Sequence, residues 1–318
     1  MTHSAHPLSP DLSISFAGLQ LQTPLILLSG CVGFGEEYTR IEGWNNRDIG
    51  AVILKGTTVE PRMGNAPHRV YETPSGMLNA IGLQNPGARY VVDEILPHLP
   101  HDQTQFWANA NGSSLEEYAE VARIFDDSPV TAIEINISCP NVKEGGVHFG
   151  NNPTMAARVV EAMRPMTKKP LITKLSPNSA DIAETARMVI DAGTDGLSVI
   201  NTLVGMAVDI EKRTPVIANI SGGLSGPAIK PVALWKIHQT RALAKKHGIP
   251  ILGQGGIISA NDAIEFAIVG SDAIGIGTGL FYDPLMCHKL LEDISDYLSR
   301  HQLDRYSDLV GTLATQAT

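Results

Sequence analysis

One stretch of the 318-residue chain concentrates reactive side chains: Glu134 to Gly150, reading EINISCPNVKEGGVHFG. An apolar run from Ala132 to Ile137 reads as a buried strand, and it stops at Ser138-Cys139-Pro140-Asn141. Pro140 fixes the backbone after the thiol, and Gly145-Gly146 make the next segment pliable. A thiol at a strand's C-terminal end, bracketed by the carboxamides of Asn136 and Asn141 and followed by a glycine-containing loop, suits a gated active site. A lone cysteine is more often a small core hydrophobe. Ser138 and Pro140, however, are poor neighbours for a strand interior, which favours chemistry at Cys139.

Eight short apolar runs, each ending in polar or glycine residues, must hold that thiol in place. They are Leu25–Leu28, Ala51–Leu54, Gln105–Ala108, Ala132–Ile137, Leu171–Thr173, Leu197–Ile200, Ile251–Leu252 and Ala273–Ile276. Runs this continuous are expected of strands buried on both faces. Helical patterns lie between them: Ser114 with Glu117 predicts a capping box, Ser259 opens a helix ending at Gly270, and Ile182, Ala186 and Val189 mark another ending at Gly193. A weak repeat, DAGTDGL from Asp191 and IVGSDAI from Ile268, reads twice as helix end, glycine cap, polar turn and strand. Alternating strands and helices predict an α/β fold, a (β/α)8 TIM barrel whose functional groups gather at the strands' C-terminal ends. Leu12 to Leu21 predicts a small N-terminal β-hairpin turning at Ala17-Gly18, and Leu203 to Gly226 an inserted excursion over the barrel mouth. With no linker or composition shift, residues 1–318 read as a single domain.

Lys55 and Lys174 end strands inside an otherwise apolar barrel, where lysines are rarely structural. They suit a Schiff base, a substrate carboxylate, or negative charge on a reduced flavin. The carboxamides of Asn79, Asn109, Asn136, Asn141 and Asn201 favour the last two, because they match an uncharged planar ring better than a sugar phosphate. Glycines of the last two strand ends, GQGG and GTG, with Ser225-Gly226, predict a phosphate corner served by the helix that starts near Ser259. GIGTG from Gly275 is no dinucleotide fingerprint, since it lacks the third glycine spacing and the downstream acid.

A net charge of −9 with no run of Lys or Arg argues against nucleic acid or an anionic membrane as the main partner. Cys31, Cys139 and Cys287 are odd in number and far apart, so neither a disulfide framework nor a metal cluster is implied. Leu28 to Cys31 resembles a lipoprotein processing site, but residues 1–23 hold no Lys or Arg and Pro24 precedes only four apolar residues. A cytoplasmic location is the expectation.

SGCVGFGEEY, KGTT, NAIGLQNPG, ANANG, NISCPNVKEGG, KLSPN, INTLVGM, IANISGGLSGPAIKP, GQGG and GIGTGLF follow one another in the order found in the dihydroorotate dehydrogenases. The resemblance runs from about Leu21 to Pro284 and is strongest to the catalytic subunit of the NAD-linked class 1B enzymes. The membrane-bound class has a serine base and a membrane-associating extension, where this chain has Cys139 and no such segment. Class 1A enzymes continue the cysteine motif with a Pro-Gly-Lys-Pro type loop, where this chain reads Val142-Lys-Glu-Gly-Gly.

The resemblance implies oxidation of dihydroorotate to orotate in pyrimidine synthesis, with Cys139 as base and hydride passing to FMN. It places Lys55, Asn79, Ala80, Ile81, Gly82, Leu83, Asn136, Asn141, Asn201 and Thr202 around the substrate. FMN would lie against Ser29, Cys31, Lys55, Thr57, Asn109, Asn136, Lys174 and Ile200, its phosphate at Gly226, Gly255, Gly256, Gly277 and Thr278. Cys287 reads as core. Three scattered cysteines cannot hold a [2Fe–2S] cluster, which takes four protein ligands. The implied route to NAD is therefore a partner subunit carrying an iron–sulfur cluster and FAD, docked on a homodimer to form a heterotetramer. A flavoprotein resembling the dihydropyrimidine dehydrogenases and a flavin-free lyase using Lys174 as a Schiff-base nucleophile are the alternatives, because one fold hosts all three.

Overall fold

The computed structural model describes residues 9–137 and 151–314, so Cys139 and Asn141 lie outside the described residues. Strands β1 (Leu25–Leu27), β2 (Ala51–Thr57), β3 (Gln105–Ala110), β4 (Ala132–Asn136), β5 (Leu171–Leu175), β6 (Gly196–Val199), β7 (Ile251–Gln254) and β8 (Ala273–Ile276) close into a barrel in chain order. Neighbours pair in parallel, and Ile274 opposite Leu25 joins the last strand to the first. The (β/α)8 expectation holds. Several strands nevertheless run past the apolar residues that announced them, because ladder pairing needs only backbone N–H and C=O groups. Lys55, Asn109, Lys174 and Gln254 thus sit inside strands, with side chains fixed by the pleat.

Helices α1 (Leu115–Asp126), α2 (Pro153–Met163), α3 (Ile182–Asp191), α4 (Lys230–His247), α5 (Ala260–Val269) and α6 (Met286–Arg300) form the outer layer. Side-chain oxygens cap the starts of α1, α3 and α5: Ser114, Asp181 and Ser259 accept from the third residue on. The expected box at α1 is displaced by one residue, since the Glu117 carboxylate accepts from the backbone of Ser113 and not of Ser114.

The weak sequence repeat marks a repeated ion pair. After α3, the Asp195 carboxylate accepts from the backbone of Leu171 at 2.8 Å and from Arg164 at 2.7 Å. After α5, Asp272 does the same with Ile251 and Arg241, both at 2.8 Å. Each aspartate ties the start of its own strand to the first backbone N–H of the preceding strand.

The N-terminal hairpin, Ile14–Phe16 with Leu19–Leu21, turns at Ala17-Gly18 with positive φ at both residues, as a tight two-residue hairpin requires. Phe16 is fully buried with its ring 5.6 Å from that of Trp107. A Cβ on Gly196, the first residue of β6, would lie 3.2 Å from the Phe16 ring, so the missing side chain there makes room for the plug. At the opposite end the excursion supplies strands Leu203–Gly205 and Gly222–Ser225, which join Gly76–Asn79 and Val70–Thr73 in a four-stranded antiparallel sheet. The Val70 to Asn79 hairpin was not legible beforehand, because Val70 and Tyr71 remain exposed and show no apolar alternation.

Replacing Phe16 by Ala should destabilise the fold by about 3–5 kcal/mol, the range for a deleted core aromatic. Urea unfolding of the purified protein measures this, and a loss under about 1 kcal/mol would show that the hairpin does not close the barrel.

Candidate active site

The floor of the barrel mouth is a charged layer. Glu134 in β4 is fully buried. Its Oε1 accepts from Ser198 Oγ of β6 at 2.6 Å, and its Oε2 accepts from Asn109 Nδ2 of β3 at 2.5 Å. Lys174 Nζ of β5 lies 3.6 Å from the same Oε2. Asn111 Nδ2 donates to Asn109 Oδ1 at 2.7 Å and keeps that amide aimed at the carboxylate. Two predicted flavin-side residues, Asn109 and Lys174, are therefore brought together by a residue given no role beforehand. Glu134 could have been suspected, since a carboxylate inside the run AIEIN cannot be buried without partners.

Beyond this layer two of the predicted carboxamides meet. Asn201 Nδ2 donates to Asn136 Oδ1 at 3.1 Å, and Thr202 N–H donates to Asn201 Oδ1 at 2.8 Å. The Tyr118 hydroxyl donates to the Asn136 carbonyl at 2.7 Å and so fixes the end of β4 just before the cysteine. Asn79 donates to the Gly223 carbonyl at 3.3 Å, joining the substrate-side loop to the excursion. Asn65 braces Ala80 and Ile81 through their carbonyl oxygens. Gly82 needs its glycine: its φ is +76°, and a Cβ would meet the Asn65 side chain at 2.6 Å.

Lys55 is partly buried in β2 beside Gly56, where a Cβ would lie 3.3 Å from the Leu83 side chain of the loop. The pairing of β2 with β3 shifts register between Ile53 and Gly56, and such bulges re-aim side chains near active sites. Burial, then the nearby charge of Arg69, pulls its ammonium below the ordinary lysine range. Arg69 was not foreseen. Its Nη2 donates to Gln84 Oε1 at 2.6 Å and braces the same loop. Two cations beside a carboxamide-lined loop suit an anionic planar substrate.

The phosphate corner is built from backbone. Gly226 has φ +91°, and a Cβ there would lie 2.7 Å from the Gly76 Cα. On Gly256 a Cβ would lie 2.8 Å from the Gly226 carbonyl oxygen and 3.0 Å from the Lys230 backbone nitrogen. Thr278 Oγ1 donates to Ser225 Oγ at 2.9 Å and joins the end of β8 to this corner. The helix start beside these glycines is that of α4. The α5 start is occupied by its own Asp262, which accepts from Ile258 N–H and the Ser259 hydroxyl. A cradle that side chains would fill, and backbone kept close by glycine, fit the phosphate of a flavin nucleotide.

Of the other predicted contacts, Ser29 and Thr57 are buried at strand ends, and Ile200 donates through its N–H to the Gln254 carbonyl at 3.1 Å. The Cys31 thiol lies against Gly277, 3.5 Å from where a Cβ would be, and burial pushes it up to about 12. Cys287 is in the core on α6, where burial also pushes its thiol up to about 12.

Charged and polar groups gathered at the C-terminal ends of the strands of a (β/α)8 barrel are the arrangement of a barrel enzyme. A family model described as Dihydroorotate dehydrogenase matches residues 11–298. The chain is 47% identical over 308 residues to the "Dihydroorotate dehydrogenase B (NAD(+)), catalytic subunit" of Geotalea daltonii, covering 96% of this chain and 98% of the relative. The protein of the same name from Listeria monocytogenes is 47% identical over 299 residues, 94% of this chain and 97% of that one. The chain belongs to the dihydroorotate dehydrogenase family, whose members are flavin-dependent oxidoreductases. Among the described residues no helix is long and apolar enough to cross a membrane.

Breaking the buried pair from one side leaves an uncompensated charge. Glu134→Gln should therefore cost about 3–5 kcal/mol, while the double variant with Lys174→Met should lose at least about 1 kcal/mol less than the sum of the single losses. Denaturant unfolding of the four proteins gives the coupling; additive losses would remove Lys174 from the network.

Proposed function

We propose that this chain is the catalytic subunit of an NAD-linked dihydroorotate dehydrogenase, oxidising dihydroorotate to orotate with Cys139 as general base. The observation that carries the reading is the charged floor, carboxamide ring and glycine corner at one barrel mouth. They occur in a chain alike over nearly its full length to proteins of that name. FMN, when bound, supplies the hydride acceptor for carbon 6 of the substrate. Lys55, with Arg69 behind it, meets the substrate carboxylate. Asn79, Asn136, Asn141, Asn201 and Thr202 hold the ring, the loop from Asn79 to Leu83 closes over it, and Lys174 faces the negative charge that develops on the flavin.

Cys139 takes the proton from carbon 5. The other two thiols, held near 12 by burial, stay protonated at neutral pH and have no place in this step. A thiol of ordinary pKa, ~8.5, is a usable base when water is excluded and the sulfur is held in place. Lys174 is engaged by Glu134, so a Schiff-base role would first require that ion pair to break. Cys139→Ala should leave a yellow protein that still binds orotate but reduces its flavin at least about 100-fold more slowly in stopped flow. A near-normal rate would refute the base.

Electrons leave through a partner subunit carrying a [2Fe–2S] cluster and FAD, in a cytoplasmic assembly built on a homodimer of this chain. Exposed Val204, Met206, Val208, Ile210 and Ile220 in the excursion offer apolar surface for subunit contact. Mixed with dihydroorotate and NAD⁺, the isolated chain should bleach its flavin once and then stall. Sustained NADH formation by this chain alone would show that no partner is needed.

A further inference from the structure

Gln254 is the last residue of β7 and is 1% exposed, yet neither its Oε1 nor its Nε2 has a hydrogen-bond partner. Leaving both ends of a buried carboxamide unpaired is costly, and native proteins rarely tolerate it without a ligand or an ordered water. Its neighbours show where the group points. A Cβ on Gly253 would strike Ser271 and Phe266, on the helix side of the strand. Side chains alternate along a strand, so Gln254 projects into the barrel. A Cβ on Gly275, opposite it in β8, would lie 2.7 Å from Gln254 Cβ and 3.3 Å from its Oε1. Gly277 likewise leaves open the space beside Leu28 and Cys31. Two glycines on the neighbouring strand thus clear room next to an amide that nothing in the protein satisfies.

The same space belongs to the flavin side of the mouth. A Cβ on Gly277 would lie 3.5 Å from the Cys31 thiol, and the Gln254 carbonyl accepts from Ile200, both residues read above as flavin contacts. We infer that the Gln254 carboxamide is a flavin-contacting group whose hydrogen bond to the isoalloxazine ring sets the cofactor's affinity and reduction potential. The inference rests on the flavin reading above. A carboxamide can offer a donor or an acceptor to the ring. Reduction makes the ring richer in electrons, so the donor end binds the reduced form more strongly than the oxidised one.

Gln254→Met keeps the length of the side chain and removes its polarity. The test compares wild-type and variant holoprotein by FMN dissociation constant, by midpoint potential against a reference dye, and by thermal midpoint of the apoprotein. Oxidised FMN should bind about tenfold more weakly, the scale of one hydrogen bond. Loss for the reduced form should be about tenfold greater again, lowering the potential by about 30 mV for the two-electron couple. The apoprotein should be no less stable, because an unpaired buried amide has been removed. A merely structural glutamine predicts the reverse: unchanged affinity and potential, with a stability change shared by apo and holo forms. That outcome overturns the inference. Gln254→Leu repeats the comparison if the Met variant does not fold. Failure of the wild type to bind FMN would overturn the flavin reading and this inference together.

Discussion

The carboxyl group of Glu134 is fully buried inside the barrel, where an unpartnered acid would be costly, and side chains of three other strands converge on it. Ser198 and Asn109 donate to its two oxygens and Lys174 lies beside it, so β3, β5 and β6 are tied to β4 through one side chain. These are four adjacent strands of the barrel. Low dielectric strengthens each contact once all are made, and penalises the loss of any one. The lysine and carboxamide predicted to face a flavin are thus pre-positioned by a group that need not touch it.

Stability and function occupy opposite ends of the molecule. At the strands' N-terminal ends, Phe16 plugs the barrel over Gly196, and Asp195 and Asp272 each clamp a neighbouring strand through an arginine-supported carboxylate. The two aspartates there are fully engaged, although the buried Ser271 hydroxyl and Trp107 indole N–H lack partners. At the C-terminal ends, polar capacity remains open: Gln254 has neither amide atom paired, Asn111 Oδ1 is unpaired, and glycines take up strained backbone at Gly226 and Gly256. An arrangement that would destabilise a plain structural protein is what a ligand can repay on binding.

The antiparallel sheet over the mouth joins two distant parts of the chain. Gly223 pairs with Asn79, and Thr202 occupies the place where a Gly223 side chain would stand. The loop from Asn79, the carboxamide pair of Asn136 and Asn201, and the turn at Gly226 are therefore linked through one sheet.

Much of this was written in local chemistry. Eight continuous apolar runs separated by capped helices specify a parallel barrel, because only strands covered on both faces read that way. The Ala17-Gly18 hairpin, the caps at Ser114 and Ser259 and the twofold aspartate repeat were legible for the same reason: each depends on residues close in sequence. The family motifs named the chemistry. Tertiary structure alone decided the rest. Glu134 finds its partners 25 and 64 residues away, and no local pattern announces which side chains will answer a buried charge. Arg69 reaches the substrate loop only because an exposed hairpin without apolar alternation folds back over the mouth. Gly226 and Gly256 lie beside the start of α4, while Asp262 caps the start of α5, a placement that depends on folded neighbours and not on local sequence. Gln254 became conspicuous only when its surroundings were seen to hold nothing for it to bond, since satisfaction of a buried amide is a property of three-dimensional neighbours and not of sequence.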